Sequence, residues 1–343
     1  MFSKNLKYYR LKNVMTKKEL ASKSNLTAMA ITNYENGTRK PTMEIMQALA
    51  SALGVRVSDF LAVRNENLSF AHGEFRKQRS LTAAQQEYIR EFVEEYFSRF
   101  FTAVELLGGE VLPSAPQCHA LTLTKDAEQD AQALRQHLGL PADGPVADLI
   151  ELLENIGILV CVCEIGSDKF SGMNGFVSGR PYVVINEAMS AERKRSTIVH
   201  ELAHLMYIWP EDMPEKESED LANAISGAFL LPAKDLIREL GIRRRAVTKD
   251  MTLVCQEYGV SMYLLVKRAA LNGILSAQAE KRFYVRAGSL GWQKHEPSRI
   301  EAKDPILFEQ LVYRAINEEN ISIQRGAELL RKPFSQVAQQ CGF

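Results

Sequence analysis

The stretch STIVHELAHL, residues 196–205, decides the fold at the centre of this 343-residue chain. Its apolar side chains recur at helical spacing, with Leu202 and Leu205 on one stripe, which predicts an amphipathic helix. His200 and His204 stand four positions apart, and residues i and i+4 lie one turn apart on the same face of a helix. Both imidazoles can therefore reach one common position.

The spacing of these histidines suits a metal ion, because two imidazoles on one helix face can ligate the same cation. Glu201 is rotated away from the pair, where a carboxylate can take a proton from water that the metal activates. This H-E-x-x-H arrangement is that of zinc metallopeptidases. The alternative is a buried helix whose two histidines are satisfied by ordinary hydrogen bonds, and the motif alone leaves that alternative open.

A peptidase site of this kind needs a third protein ligand, with the fourth position left to water. The other histidines lie outside the helical segments that follow the pair closely: His72, His119, His137 and His295. Four carboxylates do precede the next helical segment: Glu215, Glu217, Glu219 and Asp220. An acidic cluster at a helix start is more often a solvated group that the helix dipole stabilises. The residues alone therefore do not choose the third ligand.

Three motifs in sequence carry a family resemblance: the run 196–205, the pattern Glu219-x-x-Ala222-Asn223, and Phe229-Leu230-Leu231-Pro232. Together they resemble the ImmA/IrrE family of metallopeptidases over roughly residues 125–235. Ala203 stands where the family usually has Gly, and the other departures, at Ile225-Ser226 and Phe229, concern packing rather than chemistry. The resemblance implies a zincin-like peptidase core that holds Zn²⁺.

The resemblance also implies a role for each residue of the site. The zinc ligands would be His200, His204 and Glu219, and Glu201 would be the catalytic base. The activity implied is that of a zinc-dependent metalloendopeptidase.

A β region precedes the motif helix. The apolar run Ile158–Ile165 predicts a strand, and Gly175–Val177 and Tyr182–Ile185 predict a hairpin with a turn at Ser178–Pro181. Zinc peptidases of this build hold an extended substrate against a sheet edge, which makes residues 174–186 the candidate edge. A purely structural hairpin explains the same pattern equally well.

Residues 5–61 resemble an Xre/lambda-repressor-like helix-turn-helix domain, through Glu19-Leu20-Ala21, Tyr34-Glu35-Asn36-Gly37 and Leu53-Gly54-Val55 among other positions. In such domains the second helix of the motif enters the major groove of DNA. The resemblance implies base and phosphate contacts by nine residues: Lys17, Lys18, Thr27, Ala28, Met29, Thr32, Asn33, Arg39 and Lys40. Lys17 replaces the usual Gln, which weakens the expectation of strong sequence specificity.

Charge is distributed unevenly along a chain whose formal net charge is zero. Residues 1–64 hold eleven Lys/Arg and four acids, a net +7, whereas the remainder holds 31 basic and 38 acidic residues, a net −7. A basic N-terminal segment on an otherwise acidic chain suits a segment that binds double-stranded DNA. A helix-turn-helix used for protein contact or dimerisation is the alternative, and charge alone does not exclude it.

The predicted fold class is mainly α with a small β-sheet (α+β). We expect a helix-turn-helix domain at 1–64, a connector and long helix at 65–117, a peptidase core at 118–240 and a helical C-terminal domain at 241–343. Within the last, residues 259–271 resemble the small helical, helix-turn-helix-like unit that follows the peptidase core in the family, and residues 305–315 and 321–330 resemble tails of phage- and mobile-element-encoded members.

Cell location follows from composition. No apolar run approaches the roughly 18–20 residues that cross a bilayer, so no membrane association is expected. The five cysteines are an odd and sparse set, unlike a disulfide framework, which indicates a reducing, cytoplasmic compartment.

The leading functional prediction is a DNA-binding regulatory peptidase that cleaves a repressor-like protein to control transcription, as the resemblance implies. One alternative is a transcription regulator whose peptidase-like domain senses a ligand or protein partner without cleaving, although a pure sensor has no need of Glu201. An antitoxin-like or immunity protein that acts by binding is another. A homodimer through the helix-turn-helix or the C-terminal domain is a further expectation.

Overall fold

The computed structural model describes residues 1–73, 81–165, 167, 169–292 and 296–342. Its described residues are mainly α-helical, with a small four-stranded mixed sheet and a two-stranded parallel sheet, so the predicted fold class is confirmed. His295 and residues 74–80 of the predicted connector lie outside the described residues. None of the described helices combines the length and the hydropathy that a membrane span requires.

The described helices follow one another along the chain as α1 (Phe2–Lys12), α2 (Lys17–Lys23), α3 (Ala28–Glu35), α4 (Met43–Leu53), α5 (Val57–Leu61), α6 (Ala83–Leu106), α7 (Ala127–His137), α8 (Leu149–Asn155), α9 (Ala191–Met206), α10 (Glu215–Leu230), α11 (Ala233–Leu240), α12 (Met251–Tyr258), α13 (Met262–Leu271), α14 (Ala277–Ser289), α15 (Leu307–Asn317), α16 (Ile323–Leu330) and α17 (Phe334–Gln340). The strands are β1 (Phe70–His72), β2 (Leu121–Thr122), β3 (Leu159–Cys163), β4 (Gly172–Val177), β5 (Arg180–Asn186) and β6 (Tyr207–Ile208).

The chain divides into two compact units. The first is built from Met1–Phe70, Gln78–Val111 and Phe308–Phe343, and the second from Ala71–Lys77 and Leu112–Leu307. The first unit contains α1–α5, whose core is formed by side chains with no exposed surface, among them Leu6, Leu20, Ile31, Leu49 and Phe60. This is the all-α packing that the apolar spacing of residues 5–61 predicts.

The second unit contains a four-stranded sheet in the order β1-β4-β5-β3. β3 runs parallel to β5, and β4 pairs with β5 as an antiparallel hairpin, which confirms the predicted hairpin. Its loop is tighter than predicted, because only Ser178 and Gly179 lie between the strands, with φ of 48° and 80°. Positive φ at both loop residues is the geometry of a two-residue type I′ turn.

The expectation that residues 174–186 form a free sheet edge is wrong. β4 and β5 are both interior strands, because β1 pairs with the outer side of β4. The amide of Gly73 donates to the carbonyl of Asn174 at 2.8 Å, and the His72 ring nitrogen Nδ1 lies 2.7 Å from the Tyr182 hydroxyl. An extended peptide that paired with β4 would therefore have to displace β1.

The motif helix α9 lies against this sheet, and a glycine allows the close approach. A Cβ on Gly172 of β4 would come 2.6 Å from Thr197 Cγ2 and 2.9 Å from the carbonyl oxygen of Val184. No side chain fits in that space. The Ser190 side chain caps the start of α9 by accepting from the amide of Arg193.

Candidate functional site

Two helices bring three ligand-type side chains together. α9 presents His200 and His204 on one face, and the neighbouring helix α10 presents Glu219 from its second turn. The two Nε2 atoms lie 3.2 Å apart, and they lie 3.2 Å and 3.3 Å from the two carboxylate oxygens of Glu219. Within the described part of the chain, these three residues form the group of His, Cys, Asp or Glu side chains that can hold a metal ion.

The spacing of these atoms can be compared with that of a tetrahedral zinc site. Zinc bonds to His nitrogen and carboxylate oxygen at about 2.0–2.2 Å, so two ligand atoms on a tetrahedron lie roughly 3.3–3.6 Å apart. The two imidazole nitrogens lie 3.2 Å apart, just under that range, and each lies 3.2 Å or 3.3 Å from a different carboxylate oxygen of Glu219. With one ligand atom taken from each residue, the three atoms lie within 4.8 Å of one another. The donor set of two imidazoles and one carboxylate also suits zinc chemically. The residues present therefore fit the ion.

The orientation of the first imidazole is set by α10. His200 Nδ1 lies 3.1 Å from Asn223 Oδ1, and an oxygen acceptor there places the ring proton on Nδ1. Nε2 then carries its lone pair toward the other two ligand groups, as a metal ligand must. The Trp209 ring packs beside the His204 ring, with centroids 4.9 Å apart, and shields the second imidazole.

The charge state of Glu219 suits the same role. Burial by itself would raise the pKa of this carboxyl, but when the His200 and His204 rings are protonated on Nε2, their hydrogen bonds and charge outweigh burial and hold the pKa well below its usual range. The side chain is therefore a carboxylate, which is the form that binds a cation.

Glu201 is held beside the sheet rather than in solvent. Its residue surface is 8% exposed, and Asn174 Nδ2 of β4 donates to its Oε2 at 2.7 Å. This hydrogen bond fixes one carboxylate oxygen and leaves the other oxygen to accept a proton. Sequence reasoning missed Asn174, because the register of β4 against α9 is a tertiary feature. Asn223 lies four residues after Glu219, and this helical spacing was the signal in the sequence that could have placed Asn223 beside the ligands.

The predicted DNA-contacting residues lie at the surface of the first unit. Ala28 and Met29 are exposed at the start of α3, and Thr32 and Asn33 are half-buried one turn later. The Thr27 hydroxyl accepts from the amide of Ala30, so it caps the helix. Four cationic residues are predicted to contact phosphate: Lys17, Lys18, Arg39 and Lys40. Lys18, Arg39 and Lys40 are exposed. Lys17 is half-buried, and its Nζ lies 3.5 Å from a Glu35 carboxylate oxygen.

Comparison with family models identifies two domains in the chain. The IrrE N-terminal-like domain, of the peptidase M78 type, matches residues 153–270, which include the whole His200, His204 and Glu219 cluster. The chain carries an IrrE N-terminal-like domain. A Helix-turn-helix domain, which is a DNA-binding domain, matches residues 6–60. The resemblance to this fusion is confirmed, and no curated protein matches the chain.

Proposed function

We propose that the chain is a cytoplasmic, DNA-binding zinc endopeptidase that cleaves a repressor-like protein and thereby controls transcription. The observation that carries this proposal is the convergence of His200, His204 and Glu219, whose ligand atoms lie within 4.8 Å of one another, inside the IrrE N-terminal-like domain. The DNA-binding helix-turn-helix domain on the same chain supports a regulatory role. A repressor-like substrate follows from the family resemblance.

The residues of the site suit peptide hydrolysis. A bound Zn²⁺ supplies Lewis acidity, which lowers the pKa of a water molecule and polarises the carbonyl of the scissile peptide. Glu201 takes a proton from the attacking water as its oxygen bonds to the carbonyl carbon, and then delivers that proton to the leaving amine nitrogen as the C–N bond breaks. Asn174 acts as a positioning residue, because its hydrogen bond holds the base in one orientation.

The helix-turn-helix domain would place the enzyme on DNA. We assign base contacts to Ala28, Met29, Thr32 and Asn33, since these lie on the accessible part of α3. An Asn side chain reads adenine through two hydrogen bonds. Lys18, Arg39 and Lys40 are exposed cations suited to phosphate.

Two variants separate the proposed roles of the site. Glu201→Gln should keep zinc at one ion per chain but lose cleavage, because it removes the base and no ligand. His204→Ala should lose both zinc and cleavage. Zinc is measured by elemental analysis of the purified full chain. Cleavage is measured by mass analysis of fragments after incubation with a small repressor encoded beside the gene.

The outcomes distinguish the proposal from its alternatives. Zinc in the wild type together with no fragments would support a sensor that does not cleave. Fragments produced by Glu201→Gln at the wild-type rate would remove Glu201 from the base role. A wild-type chain that binds no zinc would exclude the zinc peptidase.

A further inference from the structure

β1 covers the side of β4 that faces away from β5. Within the second unit, the segment Ala71–Gly73 reaches β4 at Asn174, where the Gly73 amide donates to the Asn174 carbonyl at 2.8 Å. The His72 ring adds a side-chain contact, since its Nδ1 lies 2.7 Å from the Tyr182 hydroxyl. Ala71–Gly73 therefore takes the place along β4 that an extended peptide would need.

Two glycines make this close approach possible, one on each side of the pairing. A Cβ on Gly73 would come 2.5 Å from the Asn174 carbonyl oxygen. A Cβ on Gly175 of β4 would come 2.6 Å from the Ala71 carbonyl oxygen. A backbone oxygen cannot turn aside as the end of a flexible side chain can. The pairing therefore requires that both positions lack a side chain.

One residue of β4 joins β1 to the proposed base. Asn174 accepts from Gly73 through its backbone carbonyl, and it donates to Glu201 Oε2 at 2.7 Å through its side-chain amide. Gly172, two residues earlier on β4, faces the same carboxylate side chain, because a Cβ there would come 3.4 Å from Glu201 Cγ. β1 therefore runs beside the part of β4 that holds the base, where the proposed mechanism needs the backbone of the substrate.

The hold of β1 on the sheet is slight enough for exchange. β1 spans three residues, whereas β4 offers six, Gly172–Val177. Each backbone hydrogen bond of so short a strand adds little net stability in water, and the Ala71 side chain is exposed. Segments held in this way open locally more often than core strands do. A longer extended segment can form more main-chain hydrogen bonds with β4 than β1 forms.

We infer that Ala71–Gly73 is an internal pseudosubstrate, and that an extended segment of the protein substrate must replace it along β4 before cleavage. This inference rests on the proposed peptidase function. In the covered state Asn174 already positions Glu201, but the strand edge beside them is taken. Selectivity follows, because only a segment that pairs with β4 more strongly than β1 does gains access to the site.

A binding measurement tests the exchange without relying on cleavage. The probe is a fluorescein-labelled synthetic peptide with the sequence of residues 67–73, NLSFAHG, and its binding is followed by fluorescence anisotropy. The full-length Glu201→Gln chain is the parent, so that the probe stays intact. Adding Gly73→Ala should push β1 off β4 and raise the apparent affinity for the probe about 10- to 1000-fold, because a site that is open in about 0.1–10% of molecules loses affinity by that fraction.

Gly288→Ala in the same parent is the matched control, because it makes the same chemical change where a Cβ has no neighbour within 4 Å. This control should bind the probe within about twofold of the parent. Gly73→Pro should raise the affinity as Gly73→Ala does, since proline has no amide to donate to Asn174. Unchanged far-ultraviolet circular dichroism shows that each variant is folded.

The outcomes separate this inference from the proposed function. Equal affinity of the probe for the parent and for Gly73→Ala, or an equal gain in Gly288→Ala, would overturn the inference and leave the peptidase proposal in place. With Glu201 restored, Gly73→Ala should cut labelled β-casein, an unfolded protein, faster than the wild type does. A gain in probe affinity without fragments of casein or of the neighbouring repressor would support the exchange of β1 and contradict the peptidase proposal.

Discussion

Asn223 offers a sharp test of the metal site because it touches a ligand and is not itself one. Its Oδ1 lies 3.1 Å from Nδ1 of His200, and Asn223→Ala removes that acceptor. Groups that orient a ligating histidine in this way change metal affinity by about 10- to 100-fold. Asn223 is solvent-exposed, so water can replace the lost oxygen. We therefore expect the lower limit, about tenfold weaker zinc binding, or roughly 1.4 kcal/mol.

The measurement is a competition titration of zinc between the full-length chain and a coloured chelator. Asn223→Asp should bind zinc at least as tightly as the wild type, because a carboxylate is a stronger acceptor for the Nδ1 proton. Glu217→Gln is the control, since Glu217 lies on the same helix but pairs with Lys125 at 3.2 Å. If Asn223→Ala bound zinc as tightly as the wild type, or if the Glu217 control lost as much affinity, Asn223 would not set the orientation of the His200 ring.

Two further predictions concern stability, each followed by the urea midpoint of unfolding. Gly172→Ala should destabilise the chain by about 1–3 kcal/mol, because its Cβ would overlap Thr197 on α9. Gly288→Ala is the control and should be neutral or slightly stabilising, because a Cβ there has no neighbour within 4 Å. Equal urea midpoints for the two variants would contradict this packing. Burial raises the pKa of the Glu154 carboxyl from 4.5 to about 7, so the native state binds this proton more tightly and stability falls as pH rises through that window. Glu154→Gln should therefore stabilise the chain by the order of 2 kcal/mol at ~pH 8 and have little effect at ~pH 4; a gain that did not depend on pH would contradict the assignment.

Much of the metal centre follows from local rules. The pairing of His200 with His204 depends only on helical spacing, and that helix was evident from its apolar stripe. The third group is different, because several carboxylates near the start of α10 satisfy the same local criteria. Only the packing of α10 against α9 singles out Glu219. That packing is tertiary, so the choice had to come from family resemblance.

The sheet shows where local reasoning ends. The hairpin was predictable from its alternating apolar pattern and its Ser178-Gly179 turn. β1 was not, because a three-residue strand within a polar connector has no periodicity to detect. Its pairing with β4 converts the expected edge into an interior strand. The contact between Asn174 and Glu201 was hidden for the same reason.

The metal centre depends on the packing of one helix pair. α9 contributes His200 and His204 at i and i+4, and α10 contributes Glu219 and its orienting Asn223 at the same spacing. Each helix thus turns one face toward the cluster, and the Ser226 hydroxyl of α10 donates to a carbonyl of α9 at 2.8 Å. A cation bound between the faces would stabilise their packing by mass action, about 2.7 kcal/mol at a hundred times its Kd. Because binding and packing are coupled in this way, a substitution that loosens α9 from α10 must weaken metal binding even when every ligand is present.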